Sequence, residues 1–193
     1  MVAKIAMLML TLNYYGSDPN RIVEMANILN QQKETNLFLA IAYAESTFRP
    51  NAVSTANACC WMGIKTKANG ESKYGNPPCD KLNDDSWLCL KSAQHRIYEY
   101  KSSKCGKARF LECYNRGWAG AMIKTANYTA NVRRLQKSFR RILRKEPTKR
   151  LRCKLPSDDQ VYLLGVWGNV HGLNLTEDRA RRNARAAGLE CEE

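Results

Sequence analysis

AIAYAESTFRPNAVSTANACCWMGI, residues 40–64, is the stretch on which the fold of this chain turns. Its beginning completes a nearly unbroken apolar segment, LFLAIAYAES at 37–46, which predicts a buried helix. Thr35 or Asn36 can cap that helix and Pro50 bounds its end. Glu45 closes an otherwise apolar surface. Burial beside Ala42, Tyr43 and Phe48 would disfavour a charged carboxylate and raise its pKa. That is the condition under which a carboxylic acid donates a proton near neutral pH. By position alone, a solvent-facing glutamate at a helix end is the simpler reading.

Outward from this stretch the pattern is helical. Ile22, Met25, Ala26 and Leu29 recur at helical spacing within Arg21–Gln31, after an Asp18-Pro19 breaker. Residues 66–86 (TKANGESKYGNPPCDKLNDDS) carry glycines, a Pro-Pro pair and many polar side chains, and predict a long loop. Asp84, Asp85 or Ser86 then caps a helix to about Tyr100, and a shorter one spans Lys107–Asn115, ending near Gly117. From Tyr128 the residues Val132, Leu135, Phe139 and Ile142 form one apolar helix face, and Pro147 stops it. The segment Val161–Leu175 is apolar enough to dock on the domain or on a partner chain, with His171 structural rather than catalytic. A last helix begins at Thr176, carries Glu177 and Asp178 in its first turn, and ends in arginines before Gly188. No segment shows convincing strand alternation, so the expected class is mainly α.

A chain of 193 residues accommodates one good core and an appendage. Its composition excludes general disorder. The formal charge of +13 favours polyanionic partners. It is concentrated between Arg133 and Lys154, where only Glu146 opposes the cations. That run suits a solvated face, an adhesive surface for anionic envelope polymers, or a nucleic-acid contact. No aromatics interleave with its cations, which weakens the single-strand case. Eight scattered cysteines without a C-x-x-C pair, and only two histidines, His95 and His171, give little support to zinc and fit disulfides better. The opening MVAKIAMLMLTLNYYG lacks a small-x-small cleavage site and is too short to span a membrane, so it is expected to be a core helix. Disulfides without a signal would imply another way out of the cell, such as a particle released by lysis.

The segment around Glu45 resembles the catalytic motif of the lytic transglycosylase and goose-type lysozyme superfamily. In that motif a helix ends in Glu-Ser, then Phe, Pro, Ala and Ser follow at fixed offsets before a Gly-Leu-Met-Gln turn. Glu45, Ser46, Phe48, Pro50, Ala52, Ser54, Ala58 and Met62 fall at the matching offsets without a gap. Tyr114, Asn115 and Gly117 match a later Tyr-Asn-x-Gly element, and Tyr128 with Val132 matches a third. The resemblance implies a lysozyme-like catalytic domain over residues 1–132, followed by a basic amphipathic helix or linker (133–154) and a helical C-terminal extension (155–193). It implies that Glu45 is the acid/base and that Ser54, Met62, Tyr114, Asn115 and Tyr128 contact substrate. Ser54 would bond the sugar near the scissile link, and Tyr114 would hold or polarise Glu45. Core packing with a satisfied hydroxyl is the alternative for both Tyr114 and Tyr128.

The chain departs from the motif at the turn, where Asn57, Cys60, Trp61 and Gly63 replace Gly, Gly, Leu and Gln. The lost Gln removes a sugar-binding amide, Trp61 adds a large ring, and Cys59-Cys60 can hold the turn covalently. No Asp or Glu lies between Ser46 and Gly70. Both hydrolytic routes need a second carboxylate, so the expected reaction is transglycosylation. It would cleave the MurNAc-GlcNAc β-1,4 bond of peptidoglycan with formation of 1,6-anhydro products, without cofactor or metal. The alternatives are a lysozyme-type hydrolase, and a structural or assembly protein of a virion or secretion apparatus that keeps the fold without the activity. Peptidoglycan is the expected partner, with anionic envelope polymers or phage structural proteins beside it. The expected place of action is the bacterial envelope, and the chain would suit a phage-encoded, virion-associated enzyme.

Overall fold

Every residue from Ile5 to Leu12 is buried in the first helix, α1 (Val2–Leu12), as expected of a core helix. The computed structural model describes residues 1–13, 15–73, 75–121, 127–157, 159–170 and 172–192, with the backbone alone at 117–121; the reading of His171 lies outside them. After α1 come α2 (Pro19–Asn30), α3 (Thr35–Ser46), β1 (Ala58–Cys59), β2 (Ile64–Lys65), α4 (Cys79–Asp84), α5 (Ser86–Ser102), α6 (Gly106–Ala121) and α7 (Asn127–Arg144). The chain continues through β3 (Lys149–Lys154), β4 (Val161–Val166), β5 (Gly168–Val170), β6 (Leu173–Leu175), α8 (Glu177–Ala186) and β7 (Glu190–Cys191). Eight helices among the described residues make the protein mainly α, as its sequence predicts. It divides into two compact units, residues 1–50 with 136–193, and residues 51–135.

In the first unit, α2 starts where its sequence says it should. Asp18 accepts from the Asn20 N–H at 2.9 Å and Pro19 occupies the first turn, where its missing N–H costs nothing. Ile22, Met25, Ala26 and Leu29 form its buried face. The expected cap of α3 is corrected: Glu34 occupies that position, and Thr35 Oγ1 instead donates to Gln32 O at 2.6 Å and Leu29 O at 3.1 Å. The hydroxyl thereby ties the start of α3 to carbonyls at and just after the end of α2.

The C-terminal region corrects the expectation that no strand is present. An antiparallel sheet of order β4-β3-β7 pairs Leu151 with Leu164 and Cys153 with both Tyr162 and Cys191, and β5 pairs with β6. In β3, Leu151 and Cys153 are buried while Arg150, Arg152 and Lys154 are exposed. The period of two was present in the sequence but submerged in the basic run. The apolar segment 161–175 docks within this unit: β4 packs on α1. Thr11 fixes that packing, since its Oγ1 donates to Gly165 O at 3.0 Å and accepts from the Gly165 N–H at 3.1 Å. Asn183 on α8 donates to Thr11 O at 2.7 Å, so one buried polar knot joins α1, β4 and α8.

In the second unit, β1 and β2 form a two-residue antiparallel pair, and α5 packs against both α4 and α6. Two sequence expectations are corrected here. The loop expected over 66–86 contains α4, which begins directly after Pro78; proline is compatible with a helix start though not with its interior. Helix α6 runs through Gly117 to Ala121, since one internal glycine costs only about 1 kcal/mol. Asp85 caps α5 as expected, accepting from the Leu88 N–H at 2.8 Å.

All eight cysteines are paired, as Cys59–Cys79, Cys60–Cys89, Cys105–Cys113 and Cys153–Cys191. The first two cross in sequence and tie adjacent residues to α4 and to α5.

Two outcomes are expected. A Cβ at Gly165 would lie 2.3 Å from the Trp167 ring, so Gly165→Ala should destabilise the protein by about 1–3 kcal/mol in chemical denaturation. Replacing Cys60 and Cys89 together by serine should cost about 3 kcal/mol by the loop-closure relation, read from the same denaturation curves.

Candidate active site

Glu45 is the penultimate residue of α3 and is half-buried. The helix does not run on to Pro50. It stops at Ser46 because Thr47 (φ 55°) and Phe48 (φ 64°) both turn left-handed. Neither residue type favours that region, and each left-handed residue costs roughly 1–2 kcal/mol. The compensation is local. Phe48 is fully buried and its ring lies 5.5 Å from Tyr43 and 6.4 Å from Phe139. Tyr43 in turn meets Phe139 edge-on at 5.9 Å. Burial of one Phe is worth about 1.5–3 kcal/mol, and aromatic pairs add about 0.5–1.5 kcal/mol each, enough to hold the turn. Ser46 Oγ donates back to Ala42 O at 3.0 Å, and Arg49 Nε donates to Ser46 O at 3.3 Å. The end of the helix carrying Glu45 is therefore fastened by side chains on both sides of it.

The remaining candidates lie in the second unit. Ser54 is exposed, and its Oγ accepts from the N–H groups of Ala56 and Ala58 at 3.2 and 3.1 Å. Both lone pairs are thus engaged while the O–H proton is still able to donate. Met62 is fully buried, and its carbonyl accepts from Tyr114 Oη at 2.6 Å. Tyr114 and Asn115 are half-buried on α6, and Tyr128 is half-buried in the first turn of α7. The structure thus brings Tyr114 onto the 57–63 turn through the backbone of Met62. The side chain of Met62 belongs to the core.

The altered turn keeps an unusual backbone. Asn57 (φ 56°) and Cys60 (φ 58°) stand in the left-handed region, at the two positions where the motif has glycine. Asn adopts that conformation readily, and its carbonyl accepts from the Thr66 N–H at 2.8 Å. Cys60 is held there by its disulfide to Cys89, and Asn83 Oδ1 accepts from its N–H at 3.0 Å. The Gly63 N–H closes the turn onto Cys60 O at 3.1 Å. The Trp61 side chain is 1% exposed, so it is buried instead of facing solvent.

Sequence reasoning missed Asn83, Thr47 and the left-handed pair. Asn83 was hidden in a segment expected to be a loop, and no residue type at 47–48 signals a positive φ.

Three of the four carboxylates nearest in sequence after the turn have other work. Glu71 pairs with Lys67 at 2.9 Å, and hydrogen bonds, first from Lys67, hold its carboxyl below the usual range. Asp80 lies in the first turn of α4, where its charge favours the helix dipole, and Asp85 caps α5.

No curated protein and no solved structure compared with the chain matches it. A family model does: residues 23–134, more than half of the chain, match the Transglycosylase SLT domain. The chain is therefore a member of the SLT transglycosylase family, whose lysozyme-like domain acts on peptidoglycan at the cell envelope.

Proposed function

We propose that this protein cleaves the MurNAc-GlcNAc β-1,4 bond of peptidoglycan as a lytic transglycosylase, with Glu45 as both acid and base. The observation that carries the proposal is the placement of Glu45: half-buried on an apolar helix that ends immediately after it through two left-handed residues. Backbone held in sparsely populated conformations concentrates at functional sites.

In the proposed reaction the Glu45 carboxylic acid protonates the glycosidic oxygen as the bond to muramic acid C1 breaks. The resulting carboxylate then takes the proton from the muramic acid 6-hydroxyl, whose oxygen closes on C1. The acid is regenerated, no water is consumed, and the product is a 1,6-anhydro sugar. Ser54 is proposed to donate its remaining proton to a sugar oxygen, with Asn115 and Tyr128 lining the cleft. Met62 is proposed to act through its backbone, whose carbonyl Tyr114 holds. Tyr114 is proposed to hold or polarise Glu45.

Hydrolysis is less well supported, because three of the four acids between Gly70 and Ser86, namely Glu71, Asp80 and Asp85, serve an ion pair, a helix dipole and a cap, which leaves Asp84 as the other candidate. The reading as an inactive structural protein rested on the altered turn, and that turn keeps left-handed backbone at both former glycine positions. We assign the activity to residues 1–132, with 133–154 and 155–193 as its basic segment and C-terminal extension. The virion is proposed as the vehicle that brings the protein to the envelope.

The test is digestion of purified peptidoglycan followed by mass spectrometry of the products. Wild type should release anhydro-muropeptides, and Glu45→Gln should lose about 10²–10⁴-fold in rate while remaining folded. Products carrying an added water would identify a hydrolase, and no products from wild type would favour the structural role. Tyr114→Phe should lower stability by about 1–3 kcal/mol, because it leaves the Met62 carbonyl without its donor. It should also lower turnover; unchanged turnover would remove Tyr114 from the site.

A further inference from the structure

The second half of α7 presents a run of exposed cations. Lys137, Arg140, Arg141, Arg144 and the following Lys145 are all exposed, and no Asp or Glu occurs between Asn127 and Lys145. Several other cations of the same unit are matched to carboxylates. Lys149 pairs with Glu177 at 2.8 Å, Arg150 with Glu146 at 2.8 Å, Arg152 with Glu192 at 3.4 Å, and Arg181 with Glu177 at 2.9 Å. Glu146 also pairs with Lys4, and hydrogen bonds from Lys4 and then Arg150 hold its carboxyl below the usual range. Among the described residues, no carboxylate pairs with Lys137, Arg140, Arg144 or Lys145. Like charges three and four apart repel on a helix, so this arrangement costs stability unless an anion covers it.

We propose that this stripe is a docking surface for phosphodiester polymers of the cell wall, holding the protein on an anionic wall while its site acts on the glycan. The proposal rests on the action on peptidoglycan argued above. Cations recurring every three to four residues along a helix lie roughly 5–6 Å apart, a spacing that a linear polymer with one charge per repeat can follow. A membrane is a poor match, because the apolar residues Phe139, Ile142 and Leu143 are buried and the helix has no free apolar face to insert. Single-stranded nucleic acid is a poor match as well: Phe139, the one aromatic between 137 and 145, is fully buried, which leaves no ring for base stacking.

The test uses the full chain and a triple variant, Lys137→Gln, Arg140→Gln and Arg144→Gln, in co-sedimentation with two preparations of purified walls. One retains its phosphodiester polymers, and the other has been stripped of them with hydrofluoric acid. Wild type should bind intact walls at least 10-fold more tightly than stripped walls, and the variant should lose that difference. The slope of log affinity against log salt should become shallower by about 2–3 in the variant, as expected for three lost phosphate contacts. Turnover of soluble, phosphate-free glycan fragments should be the same for both proteins. Loss of turnover in both would defeat the catalytic proposal and leave the binding result standing. Equal binding to intact and stripped walls, or a variant that binds like wild type, overturns the docking proposal. So does tighter binding to duplex DNA than to intact walls at the same salt.

Discussion

The position of Glu45 depends on a helix being made to stop. An apolar segment such as 37–46 has no residue that ends it, and Pro50 lies too far downstream to do so. Two consecutive left-handed residues stop it instead, and they persist because Phe48 packs against both Tyr43 and Phe139. Without the ring the left-handed pair would lose its main apolar support, and the course of the chain after Ser46 would no longer be fixed by it. The aromatic cluster is therefore a backbone device first and a hydrophobic contact second.

The turn at 57–63 meets the same requirement by other means. A glycine adopts positive φ without penalty, whereas Asn57 and Cys60 need outside support. Hydrogen bonds with Thr66 and Asn83 supply part of it, and two disulfides supply the rest. Tyr114 then grips the turn from α6 through Met62 O. The chain has exchanged intrinsic backbone freedom for covalent restraint while keeping the path of the turn.

Much of this was legible in the sequence. Helices α2 and α7 were readable because 3.6-residue periodicity survives any choice of surface residue, α3 as an unbroken apolar run and α5 from its cap. The offsets from Glu45 to Ser54, Met62 and Tyr114 were readable as a resemblance. Strand β3 was not, because Arg150, Arg152 and Lys154 alternate with Leu151 and Cys153 inside a run whose charge suggested a helix and linker. Helix α4 was hidden by a Pro-Pro pair that also serves as a helix start. At the site, the left-handed pair at 47–48 was illegible in principle: its cause is the burial of Phe48 against Phe139, some ninety residues away in the chain.

The crossing of the two bridges at Cys59 and Cys60 bears on how the protein matures. Formed alone, Cys60–Cys89 closes a separation of 29 residues. Once Cys59–Cys79 exists, the path between the same two sulfurs shortens to about eleven residues, through the neighbouring Cys59 and across the first bridge. That change lowers the closure cost by about 0.9 kcal/mol, roughly a fourfold gain in the odds of the second bond. Each bridge is thus a template for the other, and oxidation of the turn tends toward all or none. Half-oxidised chains would be a minor species, which matters for a fold whose altered turn takes its shape from both bonds together.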